Sequence, residues 1–355
     1  MPEIVQSKRI TSIDALRAFT LLGILFVHST AAFGFGGDIF IPTEVGNLLR
    51  KAAKMFFSDR FATIFNILFG CSFYLILRKP NYPRIKFVWR CFLLMCFGLL
   101  AKKFYTFDVL LWYGIWGIVL VLFKNFNTKQ LFISFILFFV LARIIDDYGI
   151  GTKLFGIVDQ RYHATDDLTD ILQDPLKESI KDYFTIVFNG GIFGCLAKMI
   201  LGYWIAKKGF LERINDFAKI KYFIYFAAPY LVLMIIQEIF EIEVIKDIAY
   251  LFGSFSYAIL FLIIYNKFED KLFWMASYGR LGLTNYFMQG VVGVSLIPLL
   301  DIPHRMTRLE AVGIMLLFYA LQNIFSYYWL KFFKFGPMEY LWRSLTDFKF
   351  KSMKK

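Results

Sequence analysis

The sequence predicts an all-α protein, a polytopic transmembrane helical bundle of about ten spans with both termini cytoplasmic. Three observations carry this. Hydrophobic residues make up 58% of the 355 residues and aromatics 20%, and the mean hydropathy is +0.57. A water-soluble fold leaves too much of its chain in water to hide that much apolar surface. Apolar runs recur at the roughly 17–25 residues needed to cross a bilayer as a helix. Lysine and arginine gather in alternate loops, the positive-inside pattern.

The elements follow in order. The first span, 12–35, comes after a short polar start and has no small-residue cleavage site, so it reads as a retained helix and not as a signal peptide. The second, 61–77, is the run FATIFNILFGCSFYLIL, and the segment 46–58 before it reads as an amphipathic helix lying at the surface. The third, 87–101, is short and starts and ends beside basic residues. Spans at 107–123 and 130–145 lead into the longest polar loop, 146–183, expected on the extracytoplasmic side. The next four are 184–206, 222–240 (with Pro229 inside it), 248–266 and 273–297. The last, 309–332, precedes a basic cytoplasmic tail, 333–355. The chain reads as one transmembrane domain over 1–355, with no internal repeat.

The net charge of +13 does not point to nucleic acid, because the cations form no single patch. They sit at Lys8 and Arg9, at Arg78 to Arg90, at Lys124 and Lys129, at Lys207 to Lys221, and from Lys331 through the tail. One loop runs against the pattern: Arg50, Lys51, Lys54 and Arg60 fall outside in this scheme. The four cysteines lie in or beside spans without metal-ligand spacing, so they read as small packing residues and no metal is expected.

Ionisable residues inside the spans bear on function, since a charge at the bilayer centre costs about 2.5–3.5 kcal/mol on insertion scales. In SIDALRAFTLLGILFVHST, Arg17 and His28 are eleven residues apart, close to three helical turns. They therefore share a face, separated by about 16 Å along the axis. Asp14 lies one turn before Arg17 and can pair with it. The first span thus carries a polar seam from its cytoplasmic mouth to beyond mid-membrane. It also reads, more blandly, as an interfacial ion pair and a packing histidine. Asn66, Asn189, Asn285, Gln289, Gln322 and Asn323 are further polar groups in spans, where amides commonly bind helices together. Arg280 needs a carboxylate, phosphate or carbonyls to face.

The stretches RITSIDALRAFTLLGILFVHS, RFATIFNILFGCSFYL, DVLLWYGIWGIVL, AKMILGYWIAKKGFL, YGRLGLTNYFMQ and FGPMEYLWRSLT together resemble, in order, the signatures of the YeiB-like family of bacterial membrane proteins, a domain of unknown function. That family distantly resembles the transmembrane acyltransferases, of the acyltransferase-three and heparan-α-glucosaminide N-acetyltransferase types. The acyltransferase-three group carries Arg, ten residues and then His in its first span, the spacing of Arg17 and His28. The chain departs from its own family pattern at Ala18, usually Gly, and at His28, often Asn.

The resemblance implies a bacterial cytoplasmic (inner) membrane protein that takes acyl-CoA, acetyl-CoA in the simplest case, as donor. It implies that Arg17, with Asp14, and Arg280, Arg84 and Arg90 meet the CoA phosphates from the cytoplasm. A pantetheine arm of about 15–20 Å matches the helix rise from Arg17 to His28. His28 then acts as general base, or itself accepts the acyl group, while Asn285 or Asn66 donates to the oxyanion. The acceptor is a glycan, lipid or small metabolite. His163 and His304, in the outer loops, read as surface histidines, and His163, among acidic residues, can also meet the acceptor. Besides the bilayer, a second copy of the chain is a possible partner, and the loop 146–183 a partner surface or lid. Two other function classes stand beside this one: a transporter using the Asp14–Arg17–His28 seam as a substrate or proton path, and a scaffold with no catalysis.

Overall fold

A computed structural model of the chain describes residues 10–31, 39–79, 81–102, 109–148, 190–299, 305–350 and 352–355. Most of the loop 146–183, with His163, lies outside these residues, as do Asn189, His304 and the end of the first expected span. The described residues are mainly helical, with short turns between helices and two isolated β-bridges between single residues.

The helices are α1 (Thr11–Thr30), α2 (Glu44–Ala52), α3 (Arg60–Leu77), α4 (Arg84–Lys102), α5 (Leu110–Leu120), α6 (Thr128–Asp147), α7 (Gly190–Lys207), α8 (Ile220–Phe240), α9 (Glu243–Lys267), α10 (Glu269–Arg280), α11 (Gly282–Leu299), α12 (Arg308–Phe332) and α13 (Pro337–Asp347). Among the described residues, six helical stretches are long and apolar enough to cross a membrane: α1, the α2–α3 stretch Glu44–Leu77, α6, α8, α9 and α12. Their exposed surfaces are large and apolar. Ile224, Tyr225, Leu231, Val232, Ile235 and Ile239 of α8 all face outward, as do Leu316, Leu317, Leu321 and Ile324 of α12. Water would not tolerate contiguous patches of that kind, whereas acyl chains would. The chain is a membrane protein.

Contacts between helix ends sort into two faces. On one, Arg78 pairs with Glu212 at 2.6 Å, Arg84 donates to Asn125 at 2.9 Å and Lys86 pairs with Asp347 at 2.7 Å. On the other, Ile41 N–H donates to Met306 at 2.9 Å, Arg308 reaches Thr30 and Gly46, and Arg143 pairs with Asp147. The alternate basic loops therefore meet on one face. The anomalous cation Arg60 lies on the opposite face and is fully buried. It is held by the carbonyls of Lys54 and Ser58 and by the Tyr230 hydroxyl, with the Tyr250 ring 3.8 Å from its guanidinium carbon. The expected surface helix before the second span is present as α2, continued by a π-helical turn over Ala53–Phe57.

Helix α1 is the hub. It packs against α3, α9, α10 and α12. A second layer forms where α3 crosses α7. There a Cβ on Gly202 would stand 2.0 Å from the Ile67 carbonyl oxygen, so only glycine admits this backbone approach. The segment expected as one span over 273–297 is two helices, α10 and α11, which meet at Leu281. The hydrophobic period runs on through the junction, so the pattern alone reads as one helix. The new N-terminus of α11 is satisfied from far along the chain. Glu339 of α13 accepts from the Leu283 amide at 2.7 Å, the Thr284 amide at 3.1 Å and the Thr284 hydroxyl. The partial positive charge of a helix start offsets part of the cost of burying a carboxyl group there.

Candidate functional site

The seam in α1 has the geometry its spacing predicts, because the helix runs unbroken from Thr11 to Thr30. Near its basic-face end, Arg17 donates to Asp14 at 2.7 Å and, through its other amino group, to Ser72 Oγ of α3 at 2.7 Å. Ser72 donates in turn to the Leu68 carbonyl at 2.8 Å, which fixes its lone pairs toward Arg17. Asp14 is 4% exposed and Arg17 25%. The carboxylate is thus closed in, while the guanidinium stays open to an incoming anion.

Asp14 is held in place by α10. A Cβ on Gly279 would fall 1.7 Å from the Asp14 carbonyl oxygen, so the two backbones touch. Arg280, the next residue, is half-buried and level with Asp14 along α1. The fold therefore brings Asp14, Arg17 and Arg280 to one depth. It does not bring Arg84 or Arg90 to them. Arg84 is exposed beside Asn125. Arg90 stacks on the Trp342 ring of α13 at 3.8 Å, and its carbonyl accepts from Trp342 Nε1.

His28 is half-buried in the last turn of α1, at the opposite face. That end is fastened by a residue the sequence did not single out. Arg308, 4% exposed, donates to the Thr30 carbonyl at 2.9 Å and the Gly46 carbonyl at 3.1 Å. The last carbonyls of a helix have no partner within it, and Arg308 supplies one. No local pattern marks it, because its partners lie over 260 residues away.

The two asparagines proposed for the oxyanion differ. Asn285 is engaged in a closed network. Its amide donates to the Tyr278 carbonyl at 3.1 Å and to Ser326 Oγ at 2.9 Å. Gln322 donates to the Asn285 carbonyl, Tyr278 donates to Gln322, and Gln289 donates to the Tyr278 hydroxyl. This network binds α10, α11 and α12 together, and Tyr319 extends it by donating to Ala18 of α1 at 3.2 Å. Asn66 is 2% exposed on α3. Among the described residues its amide meets Cys195 Sγ alone, at 3.6 Å, and its Oδ1 has no partner. Asn66 thus keeps hydrogen-bonding capacity that Asn285 has spent. Among the described residues, no group of three or more His, Cys, Asp or Glu side chains is placed to hold a metal ion.

Comparison with known proteins agrees with the sequence motifs. Residues 205–349 match the family model described as "Protein of unknown function (DUF418)". The chain is 25% identical to the "Uncharacterized 39.9 kDa protein in amylase 3'region" of Bacillus acidopullulyticus, over 98% of this chain and 96% of that one. It is 25% identical to the "Uncharacterized protein YxaH" of Bacillus subtilis (strain 168), over 96% and 94%. It is 24% identical to the "Uncharacterized protein YeiB" of Escherichia coli (strain K12), over 96% of each. The family model thus matches the C-terminal part of the chain, and YeiB is similar to it along nearly the whole length.

Proposed function

We propose that this protein is a multi-pass acyltransferase of the bacterial cytoplasmic membrane. It moves an acyl group, acetyl in the simplest case, from acyl-CoA on the basic face to a hydroxyl or amine acceptor arriving from the other side. The acceptor is a glycan, a lipid or a small metabolite. One observation supports this above others. A single unbroken helix carries an open, anchored guanidinium at one end and a half-buried imidazole about 16 Å along the same face.

In this reading Arg17 and Arg280 receive the CoA phosphates, with Asp14 and Ser72 holding Arg17 in its rotamer. Arg84 and Arg90 contribute only to the general positive field of the basic face. His28 takes the proton of the acceptor O–H or N–H. The acceptor atom bonds to the thioester carbonyl carbon, the C–S bond breaks, and its electron pair leaves with the CoA sulfur. The imidazolium returns the proton to that thiolate. Asn66 is the oxyanion donor of choice, and Asn285 holds the helices in register. The test is transfer of labelled acetyl from acetyl-CoA to membrane lipid and glycan fractions by the reconstituted protein. His28→Ala should lower the rate by about 10²–10⁴-fold with its melting temperature unchanged. Full transfer by that variant would overturn the reading.

One observation favours a second reading, a transporter. Broken helices are a habit of transporter folds, and the ninth segment is broken at Leu281. The α11 start at that break is filled by Glu339, which leaves it no capacity for a substrate anion. Substrate flux into vesicles without covalent change would favour this second reading.

A further inference from the structure

Between α1, α3, α6, α7, α8 and α9 lies a cavity of about 770 Å³. It is separate from the polar seam but shares a wall with it, since the lining residues Leu16 and Cys71 adjoin Arg17 and Ser72 in the chain. Its lining is apolar almost throughout. The serine that reaches it, Ser254, already donates its hydroxyl to the Tyr250 and Arg60 carbonyls, so it offers no open donor. At one edge the lining includes exposed Tyr225, which marks the opening toward the bilayer.

Depth and charge identify what fits. On α9 the lining runs from Leu251 to Leu262. Eleven residues of helix are about 16 Å, and half of a bilayer core of about 30 Å is about 15 Å. The cavity runs inward from Lys221 at its mouth on the basic face to Ser254, which bonds the Arg60 carbonyl near the opposite face, so it is at least as deep as one leaflet. Lys221 lines that mouth, with Lys219 two residues away. Among the described residues neither lysine pairs with a carboxylate, whereas nearby Arg213 is occupied by Asp216 and Glu212 by Arg78.

We propose that this cavity holds an acyl chain of an anionic phospholipid from the leaflet on the basic face, with Lys221 against the lipid phosphate. The site is a lipid site whether or not the protein transfers acyl groups. Trp204 lines the cavity and reports on it. The purified full chain in detergent is titrated with phosphatidylglycerol or phosphatidylcholine brominated on the acyl chains. The difference in fluorescence between wild type and Trp204→Phe isolates the Trp204 signal.

Saturable quenching is expected, with half-saturation at roughly fivefold less phosphatidylglycerol than phosphatidylcholine. Lys221→Gln, at an exposed position, should fold normally and lose that preference. Ala258→Phe, inside the cavity, should abolish the saturable phase. Quenching of wild type that rises in proportion to lipid without saturating, or that is equal for both headgroups, would overturn the proposal, because it would describe lipid passing the outer surface.

Discussion

The guanidinium of Arg17 is divided between two helices: one amino group sits 2.7 Å from Asp14 in α1 and the other 2.7 Å from Ser72 in α3. A side chain with about 2 kcal/mol of rotamer entropy is thereby held in one pose before any ligand arrives. This is the preorganisation an anion site needs. It also gives Asp14, whose carboxylate is closed off from solvent, a charged partner. Removing one partner of a desolvated pair costs on the order of 3–5 kcal/mol. Arg17 is a quarter exposed, so Arg17→Ala should fall at or below the low end of that range. Asp14→Asn with Arg17→Ala should recover part of the loss, which a double-mutant cycle of melting temperatures in detergent would show.

Gly279 sets the distance between α10 and the seam. A methyl group there would sit 1.7 Å from the Asp14 carbonyl oxygen. Gly279→Ala should therefore push α10 away and destabilise the fold by about 1–3 kcal/mol, as overpacking does. It should also weaken any ligand held jointly by Arg17 and Arg280. Thermal unfolding and ligand titration on the same preparation would read both effects.

Asn285 divides the two accounts of the amides. As a structural residue it takes a donor from the buried Ser326 hydroxyl when truncated, at about 1–3 kcal/mol, and leaves the Tyr278 carbonyl with the Leu281 amide alone. Asn285→Ala should lower the melting temperature clearly, and Ser326→Ala less so. Asn66→Ala removes an amide whose Oδ1 has no partner, so it should hardly change stability and should lower turnover. Stability and transfer rates measured for both variants would show the opposite pattern if Asn285 were the oxyanion donor.

Glu339 gives a pH dependence. Burial pushes its carboxyl above the ordinary glutamate value of 4.5, and the bonds from Thr284 draw it partly back. A raised pKa means that the fold favours the neutral form. That contribution is present in full below the ordinary value and is lost as pH rises through the raised one. Melting temperature should therefore decline from about pH 4.5 upward toward neutrality in wild type. The decline should flatten in Glu339→Gln, which keeps an acceptor for the α11 amides. Glu339→Ala should lose the cap and about 1–2 kcal/mol at every pH.

Local pattern carried the parts of this molecule that depend on neighbours in the chain. The all-α class, the basic face and the alignment of Asp14, Arg17 and His28 follow from hydropathy, alternate cations and helical period. The surface helix α2 follows from its amphipathic spacing. The parts that were not legible depend on distant partners. Leu281 interrupts an apolar run that looks continuous, and what makes the interruption tolerable is Glu339, more than fifty residues on. Arg308 closes the His28 end of α1 from across the chain. The partners of Asn285, Tyr278 and Ser326, are neutral residues with no spacing that announces them. The Trp342 ring that stacks on Arg90 comes from α13, about 250 residues on.

The central claim is that Arg17 anchors acyl-CoA and His28 acts on it. Calorimetric binding of acetyl-CoA to the purified protein in detergent, for wild type, Arg17→Ala and His28→Ala, tests it most directly. The account predicts saturable binding by wild type, binding at least tenfold weaker for Arg17→Ala in line with loss of a charge-assisted contact, and wild-type binding by His28→Ala. Well-folded wild-type protein that takes up no acetyl-CoA would contradict it.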